Sequence, residues 1–288
     1  FNHFGKVAVM EELKEELLSN DGKFDFAIGF KGTVAIGFQS RQSGYNLKVI
    51  RNSPTEQYKW GMFEGVPSVL EKYSRVHVIN RTGSMLDNII FYRVKLERIW
   101  FTNALLEELL NEASECVTLQ GNFLFFRHLI VQRRLTPLPV YLETSSQAES
   151  EAAVINLGHC IKNNMAANIF NKDLDARNYG VGVFGGVYLF DYDALEKFTE
   201  VKIRTNQNQF EGEEEIPEWF FEDGVVFLPE EIESGLRIPS RSLRRLFREV
   251  HGDLLQVGYY ERIQEELRVG KVPSVRVYPE QYQIKKKV

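Results

Sequence analysis

Across residues 7–18, VAVMEELKEELL repeats apolar positions at the three- and four-residue spacing of a helix with one wet face, and Ser19-Asn20-Asp21-Gly22 closes it. The period then changes. Thr33-Val34-Ala35-Ile36-Gly37-Phe38 and Tyr45-Asn46-Leu47-Lys48-Val49-Ile50 are rich in β-branched and aromatic residues, and the polar residues 39–44 between them are turn material, so the pair predicts a hairpin. A helix is expected over residues 66–78, with Pro67 tolerated in its first turn. Residues 89–100 read as strand, with Asn103 as the cap of a helix over 104–116. Phe123-Leu124-Phe125-Phe126 and His128-Leu129-Ile130-Val131 read as further buried strand, and Pro137 and Pro139 then interrupt the chain where two lobes would meet. Beyond them the pattern predicts a helix over 149–168 capped by Ser145, Ser146 or Ser150, short strands and loops over 170–193, and helices over 240–255 and 259–269. A β-rich first half followed by a helix-rich second half is an α+β arrangement, divided as residues 1–136 and 137–288.

Composition narrows the class. A chain of 288 residues suits one large domain or two modest ones. With 43% hydrophobic and 26% charged residues it has the composition of a folded globule rather than a disordered chain. No apolar run reaches the ~18 residues of a membrane span, and no charged-then-apolar leader opens the chain. Two cysteines, Cys116 and Cys160, make no disulfide framework, so a reducing, cytoplasmic setting is expected. The net charge of −5, with no basic stripe or aromatic platform, argues against nucleic acid as a partner. The first residue is Phe1, which reads as the start of a fragment of a longer protein. Residues 211–215 read as a solvated acidic loop, Trp219-Phe220-Phe221 as core rather than a docking patch, and residues 285–287 as a solvated tail. His77, His128, His159 and His251 have no zinc spacing with the cysteines, and adjacency to His159 does not make Cys160 a nucleophile, because helix neighbours point apart.

The stretch with chemistry in it is Asn171-Lys172-Asp173-Leu174-Asp175-Ala176-Arg177-Asn178, followed by Val187-Tyr188-Leu189-Phe190-Asp191-Tyr192-Asp193. An Asp five residues before an Asn, then an apolar strand delivering a second Asp, is the layout of a kinase catalytic loop and metal-binding turn. Phosphoryl transfer uses those residue types: Asp173 would meet the attacking hydroxyl, while the Asn178 amide oxygen and the Asp191 carboxylate would hold Mg²⁺ (or Mn²⁺) against ATP. A lysine on an upstream strand should contact the α- and β-phosphates, and Lys48, 125 residues before Asp173, fits. Ala27-Ile28-Gly29-Phe30-Lys31-Gly32-Thr33 precedes it, with glycines that let backbone N–H groups approach phosphate, though the usual Gly-x-Gly-x-x-Gly is absent. Glu71, with Glu64 behind it, is the carboxylate expected to steady Lys48.

At these residues the chain resembles the isocitrate dehydrogenase kinase/phosphatase family. The likeness runs through Leu47-Lys48-Val49-Ile50, Arg81-Thr82-Gly83-Ser84-Met85-Leu86-Asp87, Arg133-Arg134-Leu135-Thr136-Pro137-Leu138, residues 166–193 and His251-Gly252-Asp253-Leu254. An Asp-Tyr-Asp turn in place of Asp-Phe-Gly is fairly specific to that family. The resemblance implies a protein-kinase-like bilobal fold, with a β-rich N-lobe and a helical C-lobe. It implies one ATP/ADP site serving kinase, phosphatase and ATPase activities on isocitrate dehydrogenase, at the branch between the citric acid cycle and the glyoxylate bypass. It implies that residues 27–33 form the nucleotide loop, Lys48 the phosphate lysine, and residues 132–135 the hinge beside adenine. Asp87 or Asp193 would direct dephosphorylation, and Arg177 stands where the family has Lys. Lys172 stands where the family has Gly. The family's N-terminal regulatory domain, with its AMP-responsive interface, is expected to be absent from this chain. The alternative reading is a nucleotide-binding pseudokinase or scaffold with little turnover.

Overall fold

The computed structural model describes residues 2–19, 22–29, 31–55, 58, 62–206 and 222–276. Phe30, the acidic run 211–215, the aromatic cluster 219–221 and the lysine tail 285–287 lie outside the described residues. The chain forms two compact units, Phe1–Val78 with Leu86–Leu135 and Ile79–Met85 with Thr136–Val288. The expected break at Pro137 sits beside the Leu135/Thr136 division, but the short segment 79–85 belongs with the second unit.

The first unit is built on an antiparallel sheet of six strands. Helix α1 (Asn2–Ser19) precedes β1 (Asp25–Phe26), β2 (Ala35–Gln39) and β3 (Tyr45–Ile50). Helix α2 (Val66–Ile79), β4 (Asn88–Glu97), α3 (Asn103–Glu112), β5 (Val117–Gln120) and β6 (Phe123–Arg133) complete it. The order is β1-β2-β3-β6-β4, with β5 also paired to β6. The predicted β2–β3 hairpin forms, with Ala35 opposite Ile50 and Gly37 opposite Lys48. Its turn is fastened by α1: Glu16 accepts from Ser40 and from the N–H of Gln42 (2.6 Å), and Glu12 accepts from the N–H of Gly44 (3.0 Å). Strand alternation divides the residues of the sheet. Ile36, Phe38, Leu47, Val49, Leu129 and Val131 enter one apolar core with Leu13, Phe101 and Leu105. Lys48 belongs to the other set, because its strand neighbours Leu47 and Val49 fill the core.

The cap of α3 is Thr102, not Asn103. Thr102 keeps extended backbone while Asn103 is already helical, and the Thr102 hydroxyl donates to Asp25 (3.1 Å). The helix also stops at Glu112 rather than Cys116, because Ala113 departs from helical geometry and the chain turns into β5.

The second unit follows with β7 (Thr136–Pro137), α4 (Leu138–Thr144), α5 (Gln147–Ala166), β8 (Ile169–Asn171), β9 (Tyr179–Val181) and β10 (Val187–Leu189). Strands β11 (Leu195–Lys197), β12 (Lys202–Ile203) and β13 (Val226–Phe227), then helices α6 (Ile232–Leu236), α7 (Arg241–His251) and α8 (Val257–Arg268), complete it. The open choice of cap for α5 resolves to Ser146, whose hydroxyl and N–H form a reciprocal capping box with Glu149. The helix predicted over 240–255 ends at His251 and tightens into a 3₁₀ turn, Gly252–Leu255. Buried α5 organises the unit: Cys160 Sγ donates to the carbonyl of Ser84 (3.3 Å), Asn163 donates to the Ser84 hydroxyl (3.1 Å), and Asn163 also bonds both backbone groups of Arg276. Among the described residues no helix is long and apolar enough to cross a membrane.

Candidate active site

The loop between β8 and β9 is held by its own amides. Buried Asn171 donates to the carbonyl of Asp173 (2.8 Å) and accepts from its N–H (3.1 Å). Asn178 Nδ2 donates to the same carbonyl (2.9 Å). With its nitrogen so committed, the Asn178 amide turns its oxygen away from Asp173's backbone, and that oxygen is the atom that could hold a cation. Between the two, Asp175 is 5% exposed at its side chain and nucleates the 3₁₀ turn Ala176–Asn178: one oxygen accepts from the N–H of Arg177 (2.9 Å), the other from its guanidinium (2.9 and 2.7 Å). Arg237 approaches the same carboxylate at 3.5 Å.

Strand β10 runs antiparallel to β9, with Leu189 opposite Tyr179, and Phe190 N–H continues the ladder to the carbonyl of Asn178 (3.1 Å). This register carries Asp191 back beside Arg177 and Asn178. Gly185, at φ 75°, makes the tight return between the strands. The charge of Asp191 is felt at Asp173. Burial pushes the Asp173 carboxyl up from its ordinary range, a hydrogen bond from Asn178 opposes this, the negative charges of Asp175 and Asp191 push further up, and Arg177 pulls down. Asp193 is half-buried and follows fully buried Tyr192. Lys172 pairs with Glu196 beside the antiparallel β8–β11 pair (2.8 Å). Thus the second unit brings together Asp173, Asn178 and Asp191. No group of three or more His, Cys, Asp or Glu side chains gathers as a metal cluster among the described residues. A magnesium–nucleotide site of the kinase type requires none, since one carboxylate, one amide oxygen and phosphate oxygens share the ion. A hollow of about 540 Å³ in this unit is lined by Lys202, Arg204, Glu261, Gln264 and Arg268 among others, and its described lining includes none of the candidate residues.

In the first unit Lys48 lies mid-strand on β3, and its ammonium reaches Tyr73 Oη on α2 (3.3 Å) and the edge of that ring's electron cloud (5.5 Å to the centroid). Tyr73 lies on the buried stripe Val69, Tyr73, Val76 of α2, whereas Glu71 and Glu64 are exposed. Residues 27–33 connect β1 to β2. Gly29 adopts φ 120°, and a Cβ on Gly32 would come within 2.4 Å of the Ala35 carbonyl, so both positions need glycine. Ala27 continues the ladder to Gly37 (3.0 Å), Thr33 accepts from Thr55 N–H (2.9 Å), Ile28 is exposed, and Lys31 pairs with Glu108 on α3 (2.9 Å). Asp87 is exposed and meets His77 Nδ1 at 3.3 Å. Of the hinge residues, Gln132 is buried between Asn46 and Asn88 on the neighbouring strands, and Arg134 donates to the carbonyl of Arg41 (2.9 Å). Three partners went unread from the sequence: Tyr73, Asn171 and Asp175. The stripe spacing on α2 carried the first; Asn171 acts through backbone bonds, and Asp175 through the Arg177 backbone and guanidinium, which no residue pattern displays.

Fold and residues together define a mixed α/β chain with a lysine on an antiparallel sheet in one unit and an acid–amide loop, closed by a returning strand, in the other. The kinase domain of isocitrate dehydrogenase kinase/phosphatase (AceK) matches residues 22–280, and the chain belongs to this family. An isocitrate dehydrogenase kinase/phosphatase of Rhodopseudomonas palustris (strain HaA2) is 55% identical over 279 residues, 97% of this chain and 45% of the relative. One from Azoarcus sp. (strain BH72) is 30% identical over 283 residues, 96% of this chain and 46% of the relative. The chain therefore spans less than half the length of these relatives.

Proposed function

We propose that the chain is the catalytic part of an ATP-dependent protein-serine kinase with a coupled phosphatase activity, acting in the cytoplasm on isocitrate dehydrogenase and so setting flux into the glyoxylate bypass. In this reading the fold is protein-kinase-like and bilobal, the first unit being the N-lobe and the second the C-lobe. The observation that carries it is the loop at 171–178, where Asp173 and Asn178 are tied through one carbonyl and β10 returns Asp191 beside them.

These residues fit a magnesium nucleotide. The Asn178 oxygen is oriented by its bonded nitrogen, and Asp173 senses the charge of Asp191, a repulsion that a divalent cation would offset. Asn178 and Asp191 would hold the ion, Lys48 and the backbone of residues 27–33 the phosphates, and Arg177 would add charge beside them. When bound, the ion neutralises charge on the β- and γ-phosphates. Asp173 orients the substrate serine and receives its hydroxyl proton as the oxygen–phosphorus bond forms and ADP departs. Its raised proton affinity suits that acceptance, although most of the acceleration in a loose transition state comes from positioning and electrostatics. Exposed Asp87, or Asp193, directs the reverse removal of phosphate.

Labelled ATP incubated with isocitrate dehydrogenase, followed by an ADP chase, tests the reading. Label should enter a serine and then leave. Nucleotide binding with neither transfer nor ADP release would make the chain a scaffold and overturn the enzymatic account.

A further inference from the structure

We infer that Arg51 and Glu108 form an anchor that positions the nucleotide loop relative to Lys48; the inference rests on the proposed ATP site. Arg51 follows β3 directly, three residues beyond Lys48, and is 1% exposed. Its Nε donates to the carbonyl of Gly32 (3.3 Å), and its Nη2 bonds Glu108 Oε1 on α3, while Glu112 stands 3.8 Å from Nη1. The second oxygen of Glu108 takes Lys31 of the same loop (2.9 Å). The backbone adds two ties, Arg51 N–H to Val34 (2.9 Å) and Thr55 N–H to Thr33 (2.9 Å).

One buried guanidinium therefore joins three things: the strand bearing the phosphate lysine, the carbonyl at the loop's second glycine, and a carboxylate that also restrains a loop side chain. Glu108 is held below the usual carboxylate range, its hydrogen bonds from Arg51 and Lys31 outweighing the opposing effect of burial. A buried charge that served only stability is poorly chosen, since well-packed apolar side chains do that as well or better. A planar fork that bonds a carbonyl and a carboxylate at once fixes distance and direction, which a loop of backbone donors aimed at phosphate requires. Arg51 and Glu108 are thus positioning residues: neither is assigned a contact with the nucleotide.

The test separates positioning from stability. Arg51→Lys keeps the charge but gives up the planar fork whose two nitrogens reach Gly32 and Glu108, and Mg·ATP affinity measured by calorimetry on the intact protein should fall about tenfold, the worth of one charge-assisted bond. The paired replacement Arg51→Met with Glu108→Leu restores apolar packing. It should recover the thermal midpoint of the wild type while the affinity for Mg·ATP stays low and KM for ATP stays high, with KM for isocitrate dehydrogenase unchanged. If the paired variant regains both midpoint and affinity, the pair is structural only and the inference fails. A paired variant whose midpoint does not recover is read through Arg51→Lys alone: wild-type affinity for Mg·ATP in that variant would also overturn the inference. Failure of the wild type to bind Mg·ATP at all would instead remove the proposed site, and the anchor with it.

Discussion

Replacing Asp175 with Ala should loosen the catalytic loop by an amount the contacts allow us to work out. The carboxylate caps the 3₁₀ turn through Arg177 N–H, and loss of such a cap costs about 1 kcal/mol. It also receives two guanidinium bonds from Arg177 and a longer contact from Arg237. Charge-assisted bonds of that kind are worth about 1.5–3 kcal/mol when dry. Here the arginine side chains are 40% and 61% exposed, so they return to water when the carboxylate is removed, and about 1 kcal/mol is the realistic share. The sum is about 2 kcal/mol, well short of the ~3–5 kcal/mol expected when a truncation strands a buried charge. For a chain of this size it lowers the melting midpoint by roughly 4–8 °C. Asp175→Asn keeps the acceptor for the Arg177 N–H and should lose about half as much. Thermal denaturation followed by circular dichroism reads these values, and ADP release read in parallel should fall in both variants because the turn carries Asn178. Midpoints for Asp175→Ala within about 1 °C of wild type would refute the reasoning.

Asp173→Asn should cut phosphate transfer by about 10²–10⁴-fold while Mg·ATP still binds, as measured by product formation and calorimetry. It should also stabilise the protein: the folded-state pKa of Asp173 is raised, so the wild type is favoured below the ordinary carboxylate range and loses that advantage as pH rises through the raised value. The variant's gain in urea midpoint should therefore be present at neutral pH and vanish in acid. His128 behaves oppositely, burial chiefly pushing its imidazole down to about 4, with Arg127 adding to the effect. The unfolded chain takes that proton first, so stability present above about pH 6.5 should be lost toward pH 4, by about 3 kcal/mol, and His128→Asn should flatten urea midpoints over that window. Ser146→Ala removes the capping box of α5 and should cost about 1 kcal/mol in the same assay.

Much of this was legible in residue order, and the exceptions have physical causes. Strands β2, β3 and β6 announce themselves because alternate positions feed one core. The loop from Asp173 to Asn178 is visible because the proposed chemistry would demand those side chains at that spacing. Cap identity at α3 was less visible: Thr102 and Asn103 are both good caps, and the choice depends on which one keeps extended backbone. Partners on α2 depend on a rotation of about 100° per residue, so the chemically attractive Glu71 lies off the buried stripe while Tyr73 meets Lys48. The anchor of Arg51 and Glu108 was invisible for a different reason, since 57 residues separate the pair and only the packing of α3 against the loop joins them.

The central claim is that Asn178 and Asp191 hold a divalent ion against a nucleotide. Electron paramagnetic resonance of Mn²⁺, titrated with ATP into wild type, Asn178→Ala and Asp191→Ala, tests it directly. The account predicts a nucleotide-dependent bound-Mn²⁺ signal in the wild type that weakens by at least tenfold in affinity in each variant, about 1.4 kcal/mol. An equal signal in all three proteins would contradict it.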